Sequence, residues 1–292
     1  MARYEYRLVD VFTSDKFAGN PLAVFPRAEG IQVEDMQRIA REFNLSETTF
    51  VLPTTQAACD YRVRIFTPFI EMPMAGHPTI GTAWVLDHGD RVTLLEGVGP
   101  IGVERRVAQA GATTWWMTQP LPTWGAAVEP SDAATVLGLR AAEIDGRLPA
   151  QVLSNGPAFL FVALRDRRAL SHAQLQIAQW QRLGPSLNAH GVFCFTRDTG
   201  DPDVTVRSRM FAPEAGVAED PATGSASGPL GCHLVRFAVV RAGEPAKLVS
   251  LQGVEMGRPS YVQIEIEGGP QSFTAVRVGG TCIGVGGGYI EL

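Results

Sequence analysis

The chain carries one motif twice, once in each half. Arg64-Ile65-Phe66-Thr67-Pro68 leads to Met74-Ala75-Gly76-His77-Pro78, and Arg209-Met210-Phe211-Ala212-Pro213 leads to Ala222-Thr223-Gly224-Ser225-Ala226. Each copy is a β-rich run, then Phe-x-Pro, then an irregular loop ending in Gly and a polar residue, then a segment of helical character. A loop that brings Gly and a small polar group onto a helix start makes an anion site. The first N–H groups of a helix have no intrahelical partner and carry the positive end of its dipole. Two such units predict an α/β molecule with pseudo-twofold halves and its site between them.

The rest of the sequence fits that plan. A length of 292 residues suits two domains and allows burial of about three quarters of the unfolded surface. A net charge of −5 with no basic stripe argues against a nucleic-acid role. The N-terminus alternates like a strand and lacks the apolar centre of a signal peptide, and no apolar run reaches membrane-spanning length. The expected location is therefore cytoplasmic, with no membrane partner. Cys59, Cys194, Cys232 and Cys282 are scattered, which suits reduced, mostly buried thiols. The five histidines form no ligand pair, so no metal site is expected.

Strands are expected at Tyr4–Phe12 and Leu22–Phe25, joined through Gly19-Asn20-Pro21. Met36, Ile39, Ala40 and Phe43 have helical spacing, with Glu34 and Asp35 in the first turn and Asn44 at the stop. Further strands at Thr49–Leu52 and Asp60–Thr67 precede a helix at Pro78–His88, where Pro suits a first helical position. Ile80, Ala83, Trp84 and Leu86 make this helix apolar around much of its girth, so sheet should wrap it. Gln119–Gly125 is Pro-rich without a period and marks the boundary between domain 1–118 and domain 119–280. A last strand at Tyr289–Leu292, within a returning segment 281–292, is expected to rejoin the first domain. The second domain repeats the plan, with its core helix at Ser225–Phe237. Phe69, Trp84, Trp124 and Phe211 read as core.

The candidate chemistry is carried by few residues. Glu47 lies where a helix ends and a strand begins. Glu219-Asp220 precedes the second Gly, and proton transfer needs partly desolvated carboxyls of this kind. His77 follows Gly76 at the mouth of the first core helix, and Ser225 holds the matching place after Gly224. Asn20 reads first as turn chemistry.

These segments together resemble the phenazine-biosynthesis isomerase (PhzF-like) family over essentially the whole chain. The likeness rests on Gly19-Asn20-Pro21-Leu-Ala-Val-Phe25, Met36 to Glu47, Met74 to Pro78, Arg209 to Pro213, Glu219 to Ala226 and Leu251-Gln-Gly-Val-Glu-Met-Gly-Arg258-Pro-Ser260. It implies the diaminopimelate-epimerase-like fold, two domains that are each a curled sheet around a central helix. It also implies a homodimer without metal or organic cofactor. By the same resemblance Glu47 is the acid/base, and His77, Asp220 and Ser225 line the substrate site; with the helix starts at Gly76 and Gly224, and with Asn20 and Ser46 as further candidates, they are expected to bind a small carboxylate substrate. The family's type reaction is the isomerisation of trans-2,3-dihydro-3-hydroxyanthranilate, in which a glutamate moves a proton between ring carbons. Racemases of this fold carry Cys before each Gly, where this chain has Ala75 and Thr223. A binder that keeps the fold without the reaction is the other alternative.

Overall fold

A computed structural model describes residues 1–108, 111–241 and 245–292. The strand pairings trace the same path twice. In the first half Arg3–Val11 pairs antiparallel with Asn20–Phe25, which runs parallel to Glu47–Leu52. The crossover between them is the helix Val33–Phe43. Glu47–Leu52 pairs antiparallel with Tyr61–Phe66, which runs parallel to Arg91–Glu96 across the helix Gly76–Leu86. Gly99–Val107 and Thr113–Gln119 complete the run.

The second half repeats each step. Thr123–Val128, Ala150–Ser154 and Ala158–Ala163 are antiparallel, and the last is parallel to Val192–Thr196. Val206–Ala212 then runs parallel to Ala246–Gln252 across the helix Gly224–Arg236, and Ser260–Gly269 and Ser272–Gly280 follow. Thr113–Gln119 pairs with Ser272–Gly280 and joins the halves into one ribbon. Cys282–Glu291 pairs with Arg3–Val11, holding in the first half the place that Thr123–Val128 holds in the second.

Local chemistry explains the helices. Val33–Phe43 has acids in its first turn, Arg41 in its last, and ends at Asn44 with φ +50°, a left-handed cap that Asn tolerates. It lays Met36, Ile39 and Ala40 on Phe25, Phe50 and Phe66 outside the main core. Gly76–Leu86 and Gly224–Arg236 are buried nearly throughout, and main-core side chains from both halves surround them. Among the described residues no helix is long and apolar enough to cross a membrane.

Four expectations change. The last strand is Cys282–Glu291 rather than Tyr289–Leu292. Its glycines hide the alternation, and side chains at Gly284 or Gly288 would meet Trp84 or Tyr6. Strand also begins at Thr123, directly after Pro122, inside the passage expected to be irregular. It is bonded on one side only, the edge position that tolerates adjacent Pro. The first core helix starts at Gly76, before the proline, and stops at Leu86. Phe69 is 59 % exposed rather than core, lying across Gly216 of the other half.

Candidate active site

The two core helices start against each other. A side chain at Gly76 would strike the Gly224 backbone, and one at Gly224 would lie about 3.0 Å from Gly76 Cα. Only paired glycines let both helix starts converge, so two positive dipole ends face one spot. Equivalent hydrogen bonds brace both starts. Thr79 Oγ1 donates to the Ala75 carbonyl at 2.6 Å and Ser227 Oγ to the Thr223 carbonyl at 2.9 Å. From the strand ends, Glu96 contacts Thr79 Oγ1, and Gln252 Nε2 donates to Thr223 Oγ1 at 3.0 Å and to the Asp220 carbonyl at 2.7 Å.

Around this junction the fold gathers Glu47, His77, Asp220, Asn20, Ser46 and Ser225 from both halves. Glu47 opens the strand Glu47–Leu52 and is 14 % exposed. His77 is the second residue of its helix and Ser225 the second of the other. Asp220 ends the short strand Val217–Asp220. Glu47 Oε2 lies 3.4 Å from His77 Nε2. This is no ion pair, because burial pulls the imidazole down to about 3 and leaves it neutral. Asn20 is fully buried, and its Nδ2 donates to Asp220 Oδ1 and to the Ala222 carbonyl, both at 2.8 Å. The same nitrogen lies 3.0 Å from His77 Nδ1. The turn reading of Asn20 therefore misses where its side chain goes. Glu219, the neighbouring acid, is bound to Arg209 at 2.8 and 2.9 Å and acts on the site only through its charge, which helps to raise Asp220.

Burial raises Asp220 to about 6, against hydrogen bonds from Thr223, Asn20 and Ser46 that favour its charge. Glu47 is raised well above the usual carboxylate range, first by burial and then by the Asp220 charge. Two carboxyls that close do not both ionise freely, so the pair retains a proton into the neutral range. Glu47 Oε2, His77 Nε2 and Asn20 Oδ1 are buried polar atoms without hydrogen-bond partners among the described residues. Such atoms carry a desolvation penalty that a ligand relieves.

A cavity of about 210 Å³ opens on this cluster, walled by Ile70, Met72, Met74, Phe159 and Met210, with His190 and Glu214 also lining it. It suits a small ring acid, being below the roughly 300–1,000 Å³ of drug-sized sites. A larger groove of about 820 Å³ between Arg7, Trp84, Arg105 and the glycine-rich last strand holds no such carboxyl–imidazole cluster. The methionine wall left no mark in the sequence, since Met72 and Met74 come from one half and Met210 from the other. Gln252 and Arg258 stood inside a recognised motif, yet only the tertiary contacts show what they hold.

The fold is of the pseudo-twofold α/β class, and comparison with known proteins identifies its relatives as isomerases. Residues 9–288 match the family model described as phenazine biosynthesis-like protein. The chain is 39% identical to trans-2,3-dihydro-3-hydroxyanthranilate isomerase of Pseudomonas fluorescens, over 99% of this chain and 100% of that protein. With the Pseudomonas aeruginosa enzyme of the same name the identity is 40%, covering 95% of each. The crystal structure of a PhzF-family phenazine biosynthesis protein from Bacillus anthracis superposes with a TM-score of 0.90 at 26% identity, covering 100% of both chains. The chain belongs to the phenazine biosynthesis-like protein family.

Proposed function

We propose that this isomerase moves a proton between carbons of a small cyclic amino or hydroxy acid, a class that includes the trans-2,3-dihydro-3-hydroxyanthranilate its relatives are named for isomerising. Glu47 is the acid/base. The observation that carries the reading is the unpartnered, buried Glu47 Oε2 beside two converging helix starts. The substrate carboxylate binds the backbone at Gly76 and Gly224 with Ser225, so negative charge accumulating during reaction meets preorganised donors. Glu47, in its ionised form, takes a proton from one carbon and returns it to another on the same face. Asp220, His77, Asn20 and Ser46 orient the substrate's amino or hydroxyl group and set Glu47's basicity. The working unit is a cytoplasmic homodimer, each chain divided into 1–118 with 281–292 and 119–280. Two-thiol racemisation is not favoured, since Ala75 and Thr223 precede the two glycines. Deuterium uptake from heavy water into the ring acid separates this enzyme from a binder, which would exchange nothing.

Asp220→Asn tests the carboxyl coupling. Removing the charge that holds Glu47 up lets Glu47 ionise at lower pH. The acidic limb of kcat/KM should therefore move to lower pH, even as the maximal rate falls. A limb that stays or moves upward contradicts the coupling.

The reaction is proposed to need no metal. Glu47, His77 and Asp220 offer ligand atoms within 4.8 Å of one another, close enough for one cation to bridge. Their chemistry argues otherwise, because ligation needs a lone pair on the facing imidazole nitrogen. His77 Nδ1 faces the Asn20 amide nitrogen, which has hydrogens but no lone pair to offer, and this places the ring proton on Nε2. Dialysis against a chelator should leave turnover unchanged, and loss restored by a divalent ion would overturn this.

A further inference from the structure

The segment after Gln252 reaches across to the other half. Arg258 Nε donates to the Gly19 carbonyl at 2.8 Å, and Nη2 donates to the Ala18 carbonyl at 2.8 Å and to Asp10 Oδ1 at 2.6 Å. Asp10, 2 % exposed, also accepts from the Phe17 N–H at 2.7 Å. The Gly19 N–H donates to the Pro259 carbonyl at 3.1 Å. Gly19 has φ +66°, and a side chain there would collide with the Val11 carbonyl. The loop is thus gripped on both its carbonyls and its amide, immediately before Asn20.

What Asn20 holds follows from donor chemistry. The side-chain atom 2.8 Å from the Ala222 carbonyl faces a pure acceptor, so it is the amide nitrogen and carries only hydrogens. That nitrogen has two hydrogens for three neighbours, the Ala222 carbonyl, Asp220 Oδ1 and His77 Nδ1, so one is shared between the last two; a hydrogen on His77 Nδ1, 3.0 Å away, would face an atom with no lone pair, so Nδ1 presents its own. The ring proton then sits on Nε2, which lies 3.4 Å from Glu47 Oε2 with no hydrogen bond between them.

We propose that Arg258 is a positioning residue: by gripping the Ala18 and Gly19 carbonyls it fixes the Asn20 amide, and that amide selects the Nε2–H tautomer of His77 and anchors Asp220 beside Glu47. Its effect on turnover rests on the isomerase reading above; its effect on the imidazole does not. A lysine does not substitute, since a point ammonium lacks the planar fork that reaches two carbonyls and a carboxylate together.

The test is ¹⁵N NMR of histidine-labelled full-length protein, with steady-state kinetics on trans-2,3-dihydro-3-hydroxyanthranilate. The unaltered chain should show His77 with a pyridine-like Nδ1 and a protonated Nε2. Arg258→Gln and Arg258→Lys should show mixed tautomers. Their kcat should fall by up to about a hundredfold, the cost of a small misplacement transmitted from outside the chemistry, with KM changed less than about threefold. Asn20→Ser, which leaves the Arg258 grip intact, should give the same mixed signal. If Arg258→Gln fails to fold because Asp10 is left unpaired, Asp10→Asn with Arg258→Gln removes that buried charge and is read instead. A single Nε2–H signal retained in the folded Arg258 variants overturns the proposal, whatever their turnover. The isomerase reading is judged separately, by deuterium exchange in Glu47→Gln.

Discussion

Glu47→Gln is expected to lose about three orders of magnitude in kcat, within the ~10²–10⁴ that a positioned general acid–base contributes. The amide keeps the volume and the site's shape but cannot accept and return a proton. The carboxylate grip is built from helix starts at Gly76 and Gly224, which the substitution does not touch. Affinity for a substrate-like acid should therefore change by less than about threefold, well under the 1.4 kcal/mol that marks a tenfold change. The substitution also removes the group whose ionisation competes with Asp220, so the variant's residual activity should lack the wild-type acidic limb. Isothermal titration and stopped-flow kinetics on the same preparation separate binding from turnover. Unchanged turnover would remove Glu47 from the mechanism.

Glu96→Gln should stabilise the fold by on the order of 3 kcal/mol at pH 7. Thr79 Oγ1 has one hydrogen for two acceptors, the Ala75 carbonyl and Glu96, and a protonated Glu96 is the form that lets both contacts be hydrogen bonds. Burial pushes Glu96 up to about 8 from the ordinary 4.5, against the Thr79 hydroxyl, so it is neutral at pH 7. Arg62, Arg64 and Glu71 line the adjoining groove, and Arg64 is already engaged with Glu71 at 2.6 and 2.7 Å. The sign follows from linkage. A carboxyl raised in the folded state contributes stability that is complete below 4.5 and is lost as pH rises towards 8, at about 1.4 kcal/mol per pH unit. Glutamine already serves at the matching place in the second half, where Gln252 donates to Thr223. Denaturant unfolding at pH 5 and pH 7 should show the variant's advantage shrinking towards pH 5. An advantage that is equal at both, or a loss at pH 7, would contradict a protonated Glu96.

The repeat made most of this architecture legible. Phe-x-Pro followed by Gly plus a polar residue located both core helices, and the periodicity of Met36, Ile39 and Ala40 located the outer one. Glu47, His77 and Asp220 stood out by residue type, and the fold brings polar atoms of all three within 4.8 Å of one another. Cys282–Glu291 was hidden because glycine carries no alternation, although its backbone pairs along nearly the whole of Arg3–Val11. Phe69 was misplaced because aromatic content speaks for burial, whereas this ring rests on a glycine of the opposite half. Glu96 was silent, and Arg258 stood in a motif without showing its role, for a different reason. Their meaning lies in which lone pairs and hydrogens they face across the fold, and spacing along the chain does not encode that.

Stereochemistry tests the central claim most directly. The chain is incubated with trans-2,3-dihydro-3-hydroxyanthranilate in heavy water, and the face of the receiving ring carbon that gains deuterium is read by NMR. Glu47 on one wall of the cavity should deliver it to the face from which the proton departed. Deuterium on the opposite face would require a second base across the ring and would contradict the single-carboxyl relay.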